Sequence, residues 1–286
     1  MSSSTGSTKR QPDVRRAAVI THGQVETVRE PLERLRALAQ ERGVELALPE
    51  EEVAKHGDGG AGDVTGADLA IVLGGDGTML RALKMFLGTT VPVFGVNFGR
   101  VGFLASAEAE ELELGVGRAF DGDFDVVELP ALEASAGRER WQAVNDVVVT
   151  SSTLGRMIEL GWAIGGEDLG SLPCDGLICS TPSGSTAYNL SNGGPVLVWG
   201  LDAMALTFVA PHSLHARPLV VPRGRTLTVT NRTTAVGATV LVDGHSVYEL
   251  APGDQVGARL SEQSSLLATL PEETFFTRYR RTFVPE

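Results

Sequence analysis

In the first third of the chain, apolar residues alternate between two spacings. Residues 17–21 (AAVIT) form a continuous apolar run. Residues 25–42 carry apolar side chains three and four apart, the spacing of a helix with one buried face. Residues 44–48 read as a second strand. Residues 67–73 (ADLAIVL) have the character of a buried strand and run into Gly74-Gly75-Asp76-Gly77. Residues 78–87 are helical in character, and residues 91–96 (VPVFGV) are a further strand. Strands alternating with helices predict a doubly wound, parallel α/β sheet.

The pattern changes near residues 121–125 (DGDFD). Runs rich in Val, Ile and Thr follow at 143–150, 157–164, 177–181, 205–209, 226–230 and 239–242. Gly, Asn, Asp and Pro separate them, as in an all-β domain. One short helix is expected over about 185–191. Residues 272–283 are aromatic and basic, and are expected to return to the first domain. The predicted organisation is a disordered tail over 1–13, an α/β domain over 14–122, a β-rich domain over 123–264 and a returning segment over 265–286. No internal repeat is present, and the only low-complexity stretch is the N-terminal Ser/Thr tail.

Composition narrows the function classes. With 286 residues, 42% of them hydrophobic, a sizeable core is possible. No run of about 18 apolar residues offers a membrane span, and the polar start MSSSTGSTKRQPDVRR lacks the apolar stretch of a signal peptide. The expectation is a cytoplasmic protein without a membrane partner. The 24 Lys and Arg face 36 Asp and Glu, a net charge of -12. Such a surface repels nucleic acid and anionic lipid, but a small anion needs only a few local cations and N–H groups. Cys174 and Cys179, five apart on an expected strand, point to opposite faces. No His or second Cys pair completes a metal site with them, so buried thiols in a reducing compartment are expected.

The sharpest candidate chemistry is Leu73-Gly74-Gly75-Asp76-Gly77-Thr78. It lies between an apolar strand and a helix, at the strand end where α/β proteins bind ligands. Gly74, Gly75 and Gly77 let backbone approach a phosphate closely, and the N–H groups at the helix start, with Thr78, favour an anion. Asp76 then reads as a base or as a ligand for a bridging cation. The alternative is a tight turn in which Asp76 caps the helix. Further along, Asp175 precedes an apolar strand ending in Thr-Pro-Ser-Gly-Ser-Thr, a hydroxyl-rich turn opening a helix that carries Tyr188. Tyr188 offers a flat face and a hydroxyl, suited to a base or ribose, or it packs in the core. Asn145-Asp146 supplies an amide beside a carboxylate, the pair needed to read a base edge and a ribose diol; a plain turn is the alternative.

GGDGT-like loops are shared by NAD kinases, diacylglycerol and sphingosine kinases and, in a related form, phosphofructokinases. The stretch from Asp175 to Ser191 with Gly193-Gly194-Pro195 strongly resembles the NAD kinase signature. So do the glycine-rich stretch from Gly95 to Leu104, Asn145-Asp146, and Pro211-His212 with Arg217-Pro218-Leu219. The resemblance runs in order over residues 17–243. It implies that Asp76 and Gly77 contact the NAD ribose, with Asp76 as catalytic base, and that Arg81 contacts phosphate. It implies that Asn145 and Asp146 bind the adenosine portion, with further NAD contacts from Arg156 and Asp175. Thr186, Ala187, Tyr188, Asn189, Leu190 and Ser191 would line the adenine pocket, and Ala210 is a close-packing position. Two positions depart from the family pattern: His245 follows Asp243-Gly244 where the family often has Gln, and Pro173 stands where it often has a basic residue.

The implied reaction moves the γ-phosphoryl group of ATP, or of polyphosphate, to the 2′-hydroxyl of the NAD adenosine ribose. Apart from the DGDFD turn at 121–125, where the pattern changes from α/β to β-rich, no DxD or ExxH array offers a protein metal site, so Mg²⁺ is expected to arrive with ATP. The resemblance also suggests a homo-oligomer, a dimer or tetramer. Two other classes compete. A lipid kinase would carry a Gly-Thr-Gly-Asn-Asp type motif, which this sequence lacks. A nucleotide-sensing module would have no use for Asp76.

Overall fold

The computed structural model describes residues 11–57, 62–99, 102–153 and 155–284. Residues 1–10 of the expected tail, and Arg100 and Val101 of the glycine-rich stretch, lie outside the described residues. The chain divides into two compact units, one of Met1–Glu128 with Ser265–Glu286, the other of Leu129–Ser264.

The first unit runs β1 (Arg16–Thr21), α1 (Val25–Arg42), β2 (Glu45–Ala47), α2 (Glu50–His56), β3 (Leu69–Gly74), α3 (Asp76–Met85), β4 (Val93–Asn97), β5 (Ala107–Glu108) and α4 (Leu112–Phe120). All its pairings among these strands are parallel, in the order β4-β3-β1-β2 with β5 also on β4. Every residue of β3 is buried, which is why its sequence is a continuous apolar run. Helix α1 buries Val28, Leu32, Leu35 and Ala39 and stops at Gly43, whose φ of 67° favours a residue without Cβ. Two helices had no clear period in the sequence. EEEVAKH, which forms α2, is too short and polar; α4 is a nine-residue helix containing two glycines, Gly115 and Gly117.

The second unit contains β6 (Asp125–Ala136, which crosses the boundary), β7 (Glu139–Ala143), β8 (Asp146–Ser151), β9 (Ile158–Ile164), β10 (Glu167–Cys174), β11 (Gly176–Ser180), α5 (Tyr188–Ser191), β12 (Ala203–Val209), β13 (Leu219–Pro222), β14 (Leu227–Asn231), β15 (Ala238–Val242) and β16 (His245–Leu250). Strand β17 (Gln255–Thr269) leaves it at Ser264, and α6 (Phe275–Phe283) ends the described chain in the first unit. Six strands make an antiparallel sheet ordered β13-β12-β11-β8-β15-β16. Strands β10, β9, β14 and the start of β17 pair antiparallel in a second layer. Val147, Leu177, Leu206 and Val240 of the first layer pack with Leu160, Leu227, Val229 and Val256 of the second. The α/β and β-rich fold classes are those the hydrophobic period predicts. The expected helix over 185–191 is broken instead: a 3-10 turn, Gly184–Thr186, gives way at Ala187 to the single turn of α5.

Close approach of α3 to the sheet depends on Gly95 in β4. A Cβ there would overlap Met79 Sδ and press on Ala105 Cα at 3.1 Å. Gly95→Ala is expected to cost about 1–3 kcal/mol through overpacking and to lower Tm by a few degrees in a thermal melt. An unchanged Tm would mean that α3 slides freely over the sheet.

Candidate functional site

Strands β1, β3 and β4 are parallel, so their carboxyl ends lie at one edge of the sheet. A pocket of about 460 Å³ opens there, lined by His22, Gln24 and Thr27 after β1, by Gly75, Gly77, Thr78 and Arg81 after β3, and by Phe98 and Gly99 after β4. Helix α3 begins without a linker. Thr78 folds back over Gly74, where a Cβ would stand 2.8 Å from Thr78 Cβ. The N-cap is Gly75, and no side chain caps the helix. The capping alternative for Asp76 is therefore set aside. Its carboxylate turns to the loop after β4 and accepts N–H bonds from Phe103 (3.0 and 3.1 Å) and Leu104 (3.1 Å).

Arg81, one turn further along α3, donates to the Thr21 carbonyl (2.8 Å) and to Glu52 (2.6 Å). Glu52 is buried, yet it also accepts from Thr21 Oγ1 (2.7 Å) and pairs with Lys55 (2.7 Å). Burial pushes its carboxyl up, but the hydrogen bonds from Lys55 and Thr21 outweigh burial and hold it below the ordinary value. One buried carboxylate thus positions two cations at the pocket's end of β1. Sequence reasoning missed Glu52 and Lys55, because an acidic run in a polar helix reads as solvated surface.

In the second unit, Asn145 and Asp146 join β7 to β8. The N–H groups of Val144, Asn145 and Asp146 all donate to the Asp243 carboxylate, at 3.1, 2.8 and 3.3 Å. Asp243 has φ 49°, an uncommon conformation for Asp, in the turn from β15 to β16. The hydroxyl-rich turn meets the same corner: Thr181 and Ser183 donate to the Val144 carbonyl at 2.7 and 3.1 Å. Gly184 has no room for a Cβ against the Asn145 carbonyl. Asn145 Oδ1 is buried without a hydrogen-bond partner among the described residues. Asp146 is 6% exposed, and burial, with Asp243 adding to it, pushes its carboxyl up to about 7.

The remaining predicted positions are spread over this unit. Tyr188 opens α5 and is 44% exposed. Ala187 and Ser191 are exposed, Thr186 and Leu190 half-buried. Asn189 is fully buried, and its amide bonds the Ser185 and Pro195 carbonyls and the Thr207 hydroxyl, so it shapes α5 from within. Asp175 is exposed between β10 and β11, and Arg156 is exposed ahead of β9. Ala210 adopts φ 43° at the end of β12. His245 Nδ1 lies 3.0 Å from the Asp243 carbonyl. Among the described residues no group of three or more His, Cys, Asp or Glu could hold a metal ion, and no helix is long and apolar enough to cross a membrane.

Residues 18–124 match the ATP-NAD kinase N-terminal domain, and residues 144–270 match the ATP-NAD kinase C-terminal domain. An NAD kinase of Gemmatimonas aurantiaca is 40% identical over 243 residues, 82% of this chain and 84% of that protein. An NAD kinase of Natranaerobius thermophilus is 31% identical over 273 residues, 92% of this chain and 96% of that one. Among solved structures, an Archaeoglobus fulgidus NAD kinase in complex with ATP superposes with a TM-score of 0.72 at 29% identity, over 93% of this chain and 98% of its own. Yeast NADH kinase complexed with NADH shares the fold, with a TM-score of 0.82 at 22% identity, over 96% of this chain and 88% of its own.

The raised Asp146 value has a consequence for stability. Between the ordinary carboxyl value near 4 and the folded value of about 7, the folded state keeps a proton that the unfolded state releases. Stability contributed by this group is therefore present at low pH and lost as pH rises towards 7. Asp146→Asn cannot ionise, so its Tm relative to wild type is expected to be higher at pH 8 than at pH 5. A Tm difference that does not move with pH would show that Asp146 is ionised in the folded protein throughout.

Proposed function

The chain belongs to the NAD kinase family, and on that premise we propose that Asp76 is the base of its reaction. The activity is phosphoryl transfer from ATP to NAD, giving NADP. The observation that carries the residue assignment is the Asp76 carboxylate, fixed by two backbone N–H groups of another loop and flanked in sequence by Gly75 and Gly77, which line the pocket. Asp76 accepts the proton of the adenosine-ribose 2′-hydroxyl as that oxygen bonds to the γ-phosphorus and the bond to the β-phosphate oxygen breaks, leaving ADP. Gly75 and Gly77 offer backbone N–H groups to phosphate at the pocket, with Gly74 behind them at the end of β3. The Thr78 N–H is taken by the Gly75 carbonyl, so Thr78 offers its hydroxyl instead, and Arg81 supplies charge.

Asn145 and Asp146 take the adenosine portion. The unpartnered buried Asn145 Oδ1 supports this, since an amine on a base edge would satisfy it. Thr186, Ala187, Tyr188, Leu190 and Ser191 form the adenine side, with Asn189 shaping it and Arg156, Asp175, Ala210 and His245 at its borders. Mg²⁺ travels with the triphosphate: the described residues lining the pocket include no carboxylate, which fits a cation held largely by substrate phosphates. The free, buried Cys174 and Cys179 support a reducing, cytoplasmic setting. Leu214, at 89% exposure, with Leu219 and Val220 exposed nearby, supports association into a homo-oligomer.

Incubation of the protein with NAD, Mg²⁺ and either ATP or polyphosphate, with NADP read enzymatically, tests the activity and identifies the donor; no NADP with either donor would overturn it. Asp76→Asn is expected to lower kcat about 10²-fold or more while NAD still binds, because an amide cannot accept the proton. A loss of only about 3–10-fold would leave Asp76 an orienting group, since the proton leaves late in a loose transition state. Activity within a factor of about two would displace the active site from this loop. Where its carboxyl is ionised, Asp146→Ala removes a charged hydrogen bond worth about 1.5–3 kcal/mol, so above pH 7 KM for NAD is expected to rise roughly tenfold with kcat less affected. An unchanged KM with collapsed kcat would make Asp146 catalytic.

A further inference from the structure

The aromatic and basic end of the chain is unused by the reaction as described, yet it buries a cation beside the site. Arg278 of α6 is fully buried, and all five of its N–H groups are directed to oxygens. Nε donates to the Glu273 carbonyl at 3.1 Å. Nη1 donates to the carbonyls of Phe103 (3.1 Å) and Ala105. Nη2 donates to Ser106 Oγ at 3.0 Å and Thr269 Oγ1 at 2.7 Å. Burial lowers the guanidinium to about 10, against the pull of Glu273, Asp76 and Glu108, so it remains charged at neutral pH.

The Phe103 carbonyl and the Leu104 N–H belong to one peptide group. Its oxygen receives Arg278, and its N–H donates to Asp76. We propose that Arg278 is a positioning residue that fixes and polarises the Phe103–Leu104 peptide so that it holds the Asp76 carboxylate for catalysis. The inference rests on the reading of Asp76 as the base. A cation on the carbonyl strengthens the N–H at the other end of the same peptide, because hydrogen bonds in series polarise one another. The Phe103 ring is held by the same helix, with centroids 5.5 Å from Phe275 and 5.9 Å from Phe283. Main chain and side chain of Phe103 are thus both clamped by α6. A fully buried cation is costly to desolvate, and an apolar side chain of similar size would serve packing alone at least as well. The planar fork matters too: a Lys has three donors on one nitrogen and cannot span these five acceptors.

The test is a double-mutant cycle of Arg278→Met with Asp76→Asn, read as kcat and KM for NAD and ATP by enzymatic cycling of NADP, with melting curves as a check on folding. Because small misplacements of a reacting group cost orders of magnitude, Arg278→Met alone is expected to lower kcat about tenfold or more, with both KM values within about twofold. In the Asp76→Asn background the same change is expected to lower the residual rate by less than about twofold, since no base remains to be positioned. A merely structural Arg278 would cost the same factor in both backgrounds, and that additivity would overturn the proposal, as would a single variant within twofold of wild type. If Arg278→Met does not fold, Arg278→Lys is read through the same cycle, with the same two outcomes deciding. Asp76→Asn alone distinguishes the two ideas: near-wild-type activity removes the base assignment itself, whereas an impaired Asp76→Asn with additive Arg278 variants leaves the base and removes the relay.

Discussion

The first unit depends on how closely α3 can start against the end of β3. Thr78 lies over Gly74, Met79 lies over Gly95, and neither position has room for a Cβ. This contact brings the start of α3, where the N–H groups of Asp76 and Gly77 precede the first helical bonds, to the carboxyl edge of the sheet. It also brings Asp76 within reach of the loop after β4. Gly77 is exposed, and nothing lies within 4 Å of where its Cβ would stand. Its absent side chain therefore serves what enters the pocket rather than the packing of the sheet.

Buried charge is handled differently at each of three places. Glu52 takes Thr21, Lys55 and Arg81, and hydrogen bonding keeps it charged against the cost of burial. Arg278 has its donors filled by main-chain and hydroxyl oxygens. Asp146 receives no such compensation: burial and the neighbouring Asp243 leave it close to its midpoint at neutral pH. Asp243 absorbs the N–H groups of Val144, Asn145 and Asp146, so the backbone that could have stabilised Asp146 is already engaged. An acid left in this state can donate or accept towards a ribose hydroxyl. A fully solvated or fully paired carboxylate would only accept.

Apolar period was enough to predict the parallel β1, β3 and β4 and strands β8, β9, β11, β12, β14 and β15 of the β-rich unit. It failed at β6, β7 and β17, whose apolar residues are interrupted by polar ones, and at β10, β13 and β16, which stand at the ends of their sheet orders. An edge strand is covered less, so its sequence is allowed to be polar, as EDLGSLPC and HSVYEL are. The glycines, Asp76 and the Asn145-Asp146 pair were legible because local chain geometry restricts which residues can occupy them. Glu52 and Arg278 were not: each sits in a helix whose neighbouring residues are charged, and only tertiary packing buries one of them and leaves the others in water. Asp243 was legible only as the residue before Gly244. Its three N–H partners lie about a hundred residues away, and no spacing rule reaches that far.

A protein with a net charge of -12 that binds two phosphate-bearing substrates has to confine its attraction to a few groups. At the pocket, Arg81 and Lys55 share the single carboxylate of Glu52, so one positive charge is left over close to the glycine loop. A base beside phosphate would ordinarily be repelled by it. Asp76 is held instead by neutral N–H groups, which fix its direction without cancelling its charge as a contacting Lys or Arg would. A direct ion pair would bring the carboxylate's counter-charge into competition with the phosphate for the same cation. Placing the nearest buried guanidinium on the far side of a peptide avoids this competition: the charge is felt through the peptide dipole, and the carboxylate keeps its free lone pairs for a hydroxyl.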